Sequence, residues 1–348
     1  MLRTRSRPPT TRLRPRTVVV ALLVLLAAMV FAVVAGSGEL GWQRVLGELA
    51  AQVTGGTSPL SEREAAIVWE LRAPRVLLAG LVGAALAGAG AAFQGVFRNP
   101  LADPYLLGAA AGAGMAATIV VVFVPAVTGW LIGPLPLAAF AGALGGVGLS
   151  WLLGRSAGGS GTATLLLAGV AVTAFLTAIQ TFVQQLNTDT IKQVYTWTLG
   201  GLNVTGWRDL WLALPYVAVA AVVLCGCARL LDVLTLGDAE AASLGIRPGR
   251  VRLVLLAAAS LATAAAVAVS GLIGFVGIVV PHIVRLLAGA SYRVVLPLSL
   301  IGGAVFLVLA DFVARTALPG ELPLGVVTAF AGAPFFAMVL RTSRGRTP

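Results

Sequence analysis

Apolar runs of about 20 residues, each the length of one membrane crossing, recur along almost the whole chain, and this most restricts its fold. Short polar turns separate them. In hydrocarbon every backbone N–H and C=O needs a partner inside the protein, and a helix supplies one locally. Spans are expected near 17–35, 73–97, 106–124, 131–153, 163–184, 208–229, 250–270, 272–289, 294–314 and 323–340. The expected fold is therefore an all-α polytopic membrane protein of about ten transmembrane helices. Composition agrees, with 58% hydrophobic and 11% charged residues among 348, where a soluble domain carries about 25% charged. The run at Thr17–Ala35 exceeds the h-region of a signal peptide, about 7–15 residues, and reads as an uncleaved first helix.

The basic residues settle the expected orientation. An even number of spans puts both termini on one side. With them fall 17 of the 24 basic residues: six arginines in residues 1–16, then Arg98, Arg155, Arg229, Arg247, Arg250, Arg252, Arg285, Arg293, Arg341, Arg344 and Arg346. The other side holds Arg44, Arg63, Arg72, Arg75, Lys192, Arg208 and Arg315. Both termini are expected in the cytoplasm, with residues 1–16 a basic tail, 17–341 the membrane domain and 342–348 a second tail. The net charge of +11 is scattered between apolar runs, which argues against nucleic acid and for lipid as the surrounding phase. The one lysine, Lys192, precedes Gln193, so the chain has no Gly-Lys-Ser/Thr phosphate loop. Any ATP hydrolysis then belongs to a partner.

Small residues at four-residue spacing let helix backbones approach closely. They form two ridges in the second span, Gly80-Ala84-Gly88-Ala92 and Gly83-Ala87-Ala91-Gly95. Gly108-Gly112-Ala116 and Gly142-Gly146-Ser150 continue the device in the next two spans. These faces are expected to meet one another, leaving few of them to lipid. Gly112-Ala113-Gly114-Met115-Ala116-Ala117 copies a dinucleotide-binding pattern but lacks the preceding strand and the later acid. Gly271, Gly274 and Gly277 read as helix packing or as a break in a span. Cys225 and Cys227 read as buried small hydrophobes, and His282, the only histidine, has no carboxylate or thiolate beside it to make a metal site.

Several polar stretches stand out. Arg98-Asn-Pro-Leu-Ala-Asp-Pro104 forms a hairpin between two spans, placed by the charge tally on the cytoplasmic side. In the loop 231–250, Thr235 or Asp238 can cap a short helix over 239–244, Gly245 suits its left-handed end and Pro248 stops it. Such a helix either lies on the membrane surface or docks a cytosolic partner. On the other side, residues 36–70 hold a possible short helix at Leu40–Val53, and the loop 185–207 carries interfacial Tyr195, Trp197 and Trp207. Arg72 and Arg75 are either anchors paired with Glu62, Glu64 and Glu70 or a rim receiving an acidic partner. Asp311 and Arg315 have the spacing of a helical ion pair.

As a set these motifs resemble the FecCD-type permeases of ABC importers, over about residues 65–340. The resemblance rests on Arg72-Ala-Pro-Arg75, Gln94 with Arg98–Pro104 and Leu107-Gly108, Leu236-Gly-Asp238 with Leu244-Gly245, and Gly274-Phe-Val-Gly277 with Pro281–Arg285. Ala310-Asp311 with Arg315, Glu321–Gly325 and Gly332–Phe335 complete it. It implies the type II ABC importer permease fold and a subunit that is not itself an enzyme. It implies two permeases, a second copy or a paralogue, around a central path in the cytoplasmic (inner) membrane of a bacterium. Cytosolic ABC ATPase subunits would bind ATP, and an extracytoplasmic substrate-binding protein would deliver cargo; this chain would bind no cofactor or metal. On that resemblance Arg72, Arg75 and Arg315 dock the binding protein. Asn99, Leu101, Thr162 and Ala163 form the cytoplasmic gate. Leu236, Gly237, Asp238, Ala242, Leu244 and Gly245 couple to the ATPase. Ferric siderophores are the expected cargo, with haem or cobalamin as alternatives. Position 163 departs from the family's usual small hydroxyl residue, and the arginine-rich tail has no family role. A rival class, an ion-coupled secondary transporter, suits the glycine-interrupted span but finds in Asp311 alone a convincing intramembrane carboxylate.

Overall fold

The computed structural model describes residues 13–35, 40–124, 133–157, 162–203, 206–318 and 320–344. The basic tail up to residue 12 and residues 345–348 lie outside the described residues. The described chain is helical. Seven helices are long and apolar enough to cross a membrane: α1 (Pro15–Val34), α4 (Ala73–Val96, continuous with α3), α6 (Pro134–Ser156), α7 (Thr162–Leu186), α9 (Arg208–Gly226), α12 (Pro248–Ser270) and α14 (Tyr292–Thr316). Three shorter apolar helices, α5 (Ala109–Phe123), α13 (Val276–Ala288) and α15 (Leu324–Arg344), fall on the remaining expected spans. Between them lie α2 (Trp42–Thr54), α3 (Glu62–Ala66), α8 (Ile191–Thr198), α10 (Ala228–Leu234) and α11 (Asp238–Ser243).

The expected boundaries shift where backbone chemistry intervenes. The second span starts earlier: α3, capped by Ser61 and Glu64 in a reciprocal box, runs through a π-helical turn at Ile67–Arg72 directly into α4. Pro74 follows the π-helical turn directly and, lacking an N–H, cannot donate back to the preceding turn, which suits the widened backbone there. The span expected at 272–289 begins only at Val276, after an extended break from Gly271 to Phe275. The span expected at 208–229 ends at Gly226, and a separate helix, α10, follows. The loop 185–207 is not mere interfacial chain, since it folds into α8.

Helix α4 is the core element, buried on nearly all sides and packed against α14, α12, α13 and α9. Tails of lipid are as apolar as leucine, so close packing rather than burial from water must hold such helices together. The ridges do this. A Cβ on Gly83 would lie 2.1 Å from the Gly303 carbonyl oxygen of α14, and one on Gly90 2.1 Å from that of Gly277 in α13. Gly112 and Gly142 face each other between α5 and α6 in the same way, and Gly146 meets the Gly108 carbonyl. Ser150 completes that seam by donating to the Leu107 carbonyl at 2.8 Å. Helix α6 departs from the expectation on its other face, where Leu149, Leu152 and Leu153 are exposed. Gly83→Ala is expected to cost about 1–3 kcal/mol, because the backbone of α14 must move away from the added methyl. Thermal unfolding of the purified protein in detergent measures it; an unchanged midpoint would refute the close contact.

Contacts define two ends. Arg72, the last residue of the π-helical turn before α4, meets the last turn of α1, and Arg315 of α14 meets it too. At the other end of α4, Gly95 packs on Leu231 of α10, which is tied to the start of α14 through Asp232. The start of α1, the 98–104 hairpin, α11 and the start of α12 therefore share one end, as the charge pattern groups them.

Candidate functional site

Three constellations carry the chemistry. The first is the hairpin. Asn99 Oδ1 accepts from Leu101 N at 2.9 Å, and Asp103 Oδ1 accepts from Tyr105 N at 2.8 Å. These are two successive side-chain turns, the reason Asn and Asp suit these positions. They divide the hairpin. Asn99, Pro100 and Leu101 are exposed, while Ala102, Pro104 and Leu107 are buried. Pro104 lies against Gly277, and the Tyr105 hydroxyl donates to the Ile273 carbonyl at 3.1 Å and accepts from Ile273 N at 3.2 Å. Gln94 Nε2 donates to the Gly277 carbonyl at 2.9 Å. The Gly271–Phe275 break exposes backbone groups that a helix would have paired, and Tyr105 satisfies both of those of Ile273, which makes such a break tolerable inside a bundle. Gln94 serves the Gly277 carbonyl of α13, whose usual donor four residues on is Pro281 and has no N–H. Phe275 adopts a left-handed φ of 69° there. Of the gate residues implied by resemblance, Thr162 and Ala163 sit in the first turn of α7, half-exposed and exposed, on a different element from Asn99 and Leu101. His282 makes an edge contact with Phe335, centroids 5.8 Å apart.

The second is α11. Neither Thr235 nor Asp238 caps it: Gly237, at φ 140°, is the N-cap residue, and no side chain bonds there. Thr235 instead donates to the Asp232 carbonyl at 2.6 Å. The Asp238 carboxylate accepts both bonds of Arg252 Nη2 at 3.0 Å and a further bond from Arg98. Burial alone would raise the Asp238 pKa, but the hydrogen bonds and charges of Arg252 and Arg98 outweigh it and hold the carboxyl below its ordinary value. Gly245 takes the left-handed end at φ 78°, as its position suggests. Pro248 begins α12 rather than simply barring α11. Ala241 is fully buried, Ala242 is exposed, and Leu236 and Leu244 are exposed on either side.

The third is at the opposite end. Arg75 grips Glu321 with both terminal nitrogens at 2.9 Å and reaches Asp311 through Nε at 3.0 Å. Arg315 Nε lies 2.9 Å from the other Asp311 oxygen, an ion pair without hydrogen-bond alignment. The expected pair therefore forms, with Arg75 as a third member. Arg72 and Arg315 are buried and donate to the Val33 and Ala32 carbonyls at 3.1 and 3.3 Å. Those carbonyls belong to the last turn of α1, where cations complement the helix dipole. Arg75 finds its acids in α14 and the following loop rather than in Glu62, Glu64 and Glu70, and Glu64 pairs with Arg44. Of the three docking arginines implied by resemblance, only Arg75 is partly open, and Glu321 covers it.

Packed apolar helices with polar clusters at both ends and an interrupted helix between them give the described residues the architecture of a multi-pass membrane protein. The FecCD transport family matches residues 23–342 of the chain. The chain belongs to this family of ABC importer permeases, whose members are multi-pass membrane subunits and not enzymes. It is 42% identical over 334 residues to the cobalamin import system permease protein BtuC of Halobacterium salinarum, covering 94% of this chain and 88% of that protein. The Fe(3+) dicitrate transport system permease protein FecC of Escherichia coli is 39% identical over 301 residues, 84% of this chain and 87% of that one. A solved structure described as an inward-facing metal-chelate type ABC transporter superposes with a TM-score of 0.81 at 26% identity, covering 94% of this chain and all of that one.

Proposed function

We propose that the chain is the permease subunit of an ATP-driven importer of metal chelates, with ferric siderophores as cargo. The observation that supports it most is the joint presence, in a FecCD chain, of an exposed short helix tied by Asp238 to the hairpin and to α12 and a broken span held by Tyr105. In this reading α11 seats in the cleft of a cytosolic ABC ATPase through Leu236, Ala242 and Leu244. Asn99, Leu101, Thr162 and Ala163 close the path on the cytoplasmic side, where both termini lie. A loaded extracytoplasmic binding protein docks on the Arg75 end, and a second permease, a copy or a paralogue, completes the path. ATP binding and hydrolysis on the partner shift the permease between two states of unequal affinity for cargo. The likeness to a cobalamin permease over 94% of the chain favours cobalamin as a second cargo reading.

Uptake of radiolabelled ferric siderophore, ferric citrate, haem and cyanocobalamin by cells carrying the chain with its ATPase and binding protein decides between these. The siderophore is expected to accumulate and to stop accumulating when ATP is depleted with the ion gradient intact. Uptake of cyanocobalamin alone would reassign the cargo. Uptake that survives ATP depletion and collapses with the ion gradient would replace the class with a secondary transporter.

A further inference from the structure

Helices α4 and α11 end in the same hydrogen-bonded motif. After α11, Ile246 N bonds the Ala241 carbonyl at 3.1 Å and Gly245 N bonds that of Ala242 at 2.9 Å, with Gly245 left-handed. After α4, Asn99 N bonds the Gln94 carbonyl at 3.0 Å and Arg98 N bonds that of Gly95 at 3.3 Å. Here the left-handed residue, at φ 50°, is Arg98. Glycine is the usual occupant because any Cβ is disfavoured in this conformation. An arginine is strained there, and strained positions persist where something else holds them.

What holds Arg98 is its side chain. Nε donates to the Leu234 carbonyl at the end of α10 at 2.8 Å, and Nη2 donates to Asp238 in the first turn of α11. Both partners of the ion pair are largely exposed, at 40% and 50%. Such a pair adds little to stability, so stability is a poor reason for the strain. Its geometry offers another. Arg98 ties α11 to the backbone just before Asn99, and the same hairpin runs on through Pro104, against Gly277 at the start of α13, and Tyr105, bonded to Ile273 in the Gly271–Phe275 break. Arg252 holds the same carboxylate from α12, so a shift of α11 loads both Arg98 and Arg252, and of the two only Arg98 leads into the hairpin.

We propose that Arg98 is a positioning residue that transmits displacement of α11 to the hairpin. This rests on the permease reading above. The test uses the chain assembled with its ATPase subunits in proteoliposomes, with Cys225 and Cys227 changed to serine and a single reporter cysteine introduced. The maleimide labelling rate of Leu101→Cys is measured with and without ATP plus vanadate. With Arg98 present, nucleotide is expected to change the rate about threefold or more, as for a shift between two states. Arg98→Gly keeps the helix end and removes the side chain. It is expected to bring that ratio to near one while ATPase co-purification and hydrolysis persist, and Arg98→Lys to retain most of the response. A second reporter, Ala239→Cys on α11, is expected to respond to nucleotide in both backgrounds. Arg98→Gly with an undiminished Leu101→Cys response overturns the proposal, and so does loss of ATPase co-purification in that variant, which would make Arg98 an assembly residue. An Ala239→Cys reporter indifferent to nucleotide with Arg98 intact overturns the coupling reading itself, and this proposal with it.

Discussion

Asp311→Asn is expected to destabilise the protein by about 3–5 kcal/mol, the usual cost of removing one partner from a buried ion pair. Its carboxylate is 1% exposed, and it neutralises an Arg315 side chain that is 4% exposed as well as one edge of Arg75. Asparagine preserves the shape and leaves two cations close together. Arg315→Gln alone should cost less, because Arg75 still serves Asp311. The double variant Asp311→Asn with Arg315→Gln should lose less than the sum of the two, since neither leaves the other stranded. Thermal unfolding in detergent provides the comparison. Strict additivity would mean that the two side chains do not couple, and the constellation would then be a coincidence of packing.

The largest functional effect is expected from deleting Asp238–Leu244. That removes the whole of α11 and the counter-charge of both Arg98 and Arg252. Uptake should fall about 100-fold or more, because binding energy at the ATPase can no longer bias the permease between its states. Helix α11 itself buries only Ala241, so the apolar packing of the spans does not rest on it, although Arg252 of α12 loses its carboxylate partner. The variant should therefore still reach the membrane, as limited proteolysis and detergent extraction would show. Normal ATPase co-purification and normal uptake in this variant would end the docking assignment for α11.

The spans were legible because lipid imposes one simple requirement on a long apolar run. The close seams were legible for the same reason: glycine at four-residue spacing has few other uses, and Gly112 faces Gly142 as the pattern implies. The polar sites were read less well. Arg72 reads from sequence as either an anchor or a docking rim because only its neighbours Glu62, Glu64 and Glu70 are visible there, not the end of α1 some 39 residues away. Asp238 looked like a cap because capping is local, whereas its actual partners come from 140 and 14 residues off. Tyr105 leaves no signal in the sequence: one hydroxyl inside an apolar stretch carries no pattern until Ile273 is placed beside it. The left-handed Arg98 had a trace in sequence, since a helix ends there before Asn-Pro without a glycine.

The glycine seams also determine what can move. Backbones in direct contact have no side chain between them to yield, so α4, α13 and α14 are locked through Gly90–Gly277 and Gly83–Gly303. Helices α5, α6 and α7 are locked through Gly112–Gly142, Gly146–Gly108 and the meeting of Gly169 with the Leu106 carbonyl. Two sets of helices are thereby each held rigid, with α12 packed against both α4 and α6, and a rearrangement confined to one helix within a set is sterically expensive. The shorter of the two covalent links between these sets is the stretch from Phe97 to Gly108, so relative motion of the sets has to pass through a short polar hairpin whose Tyr105 is bonded to Ile273.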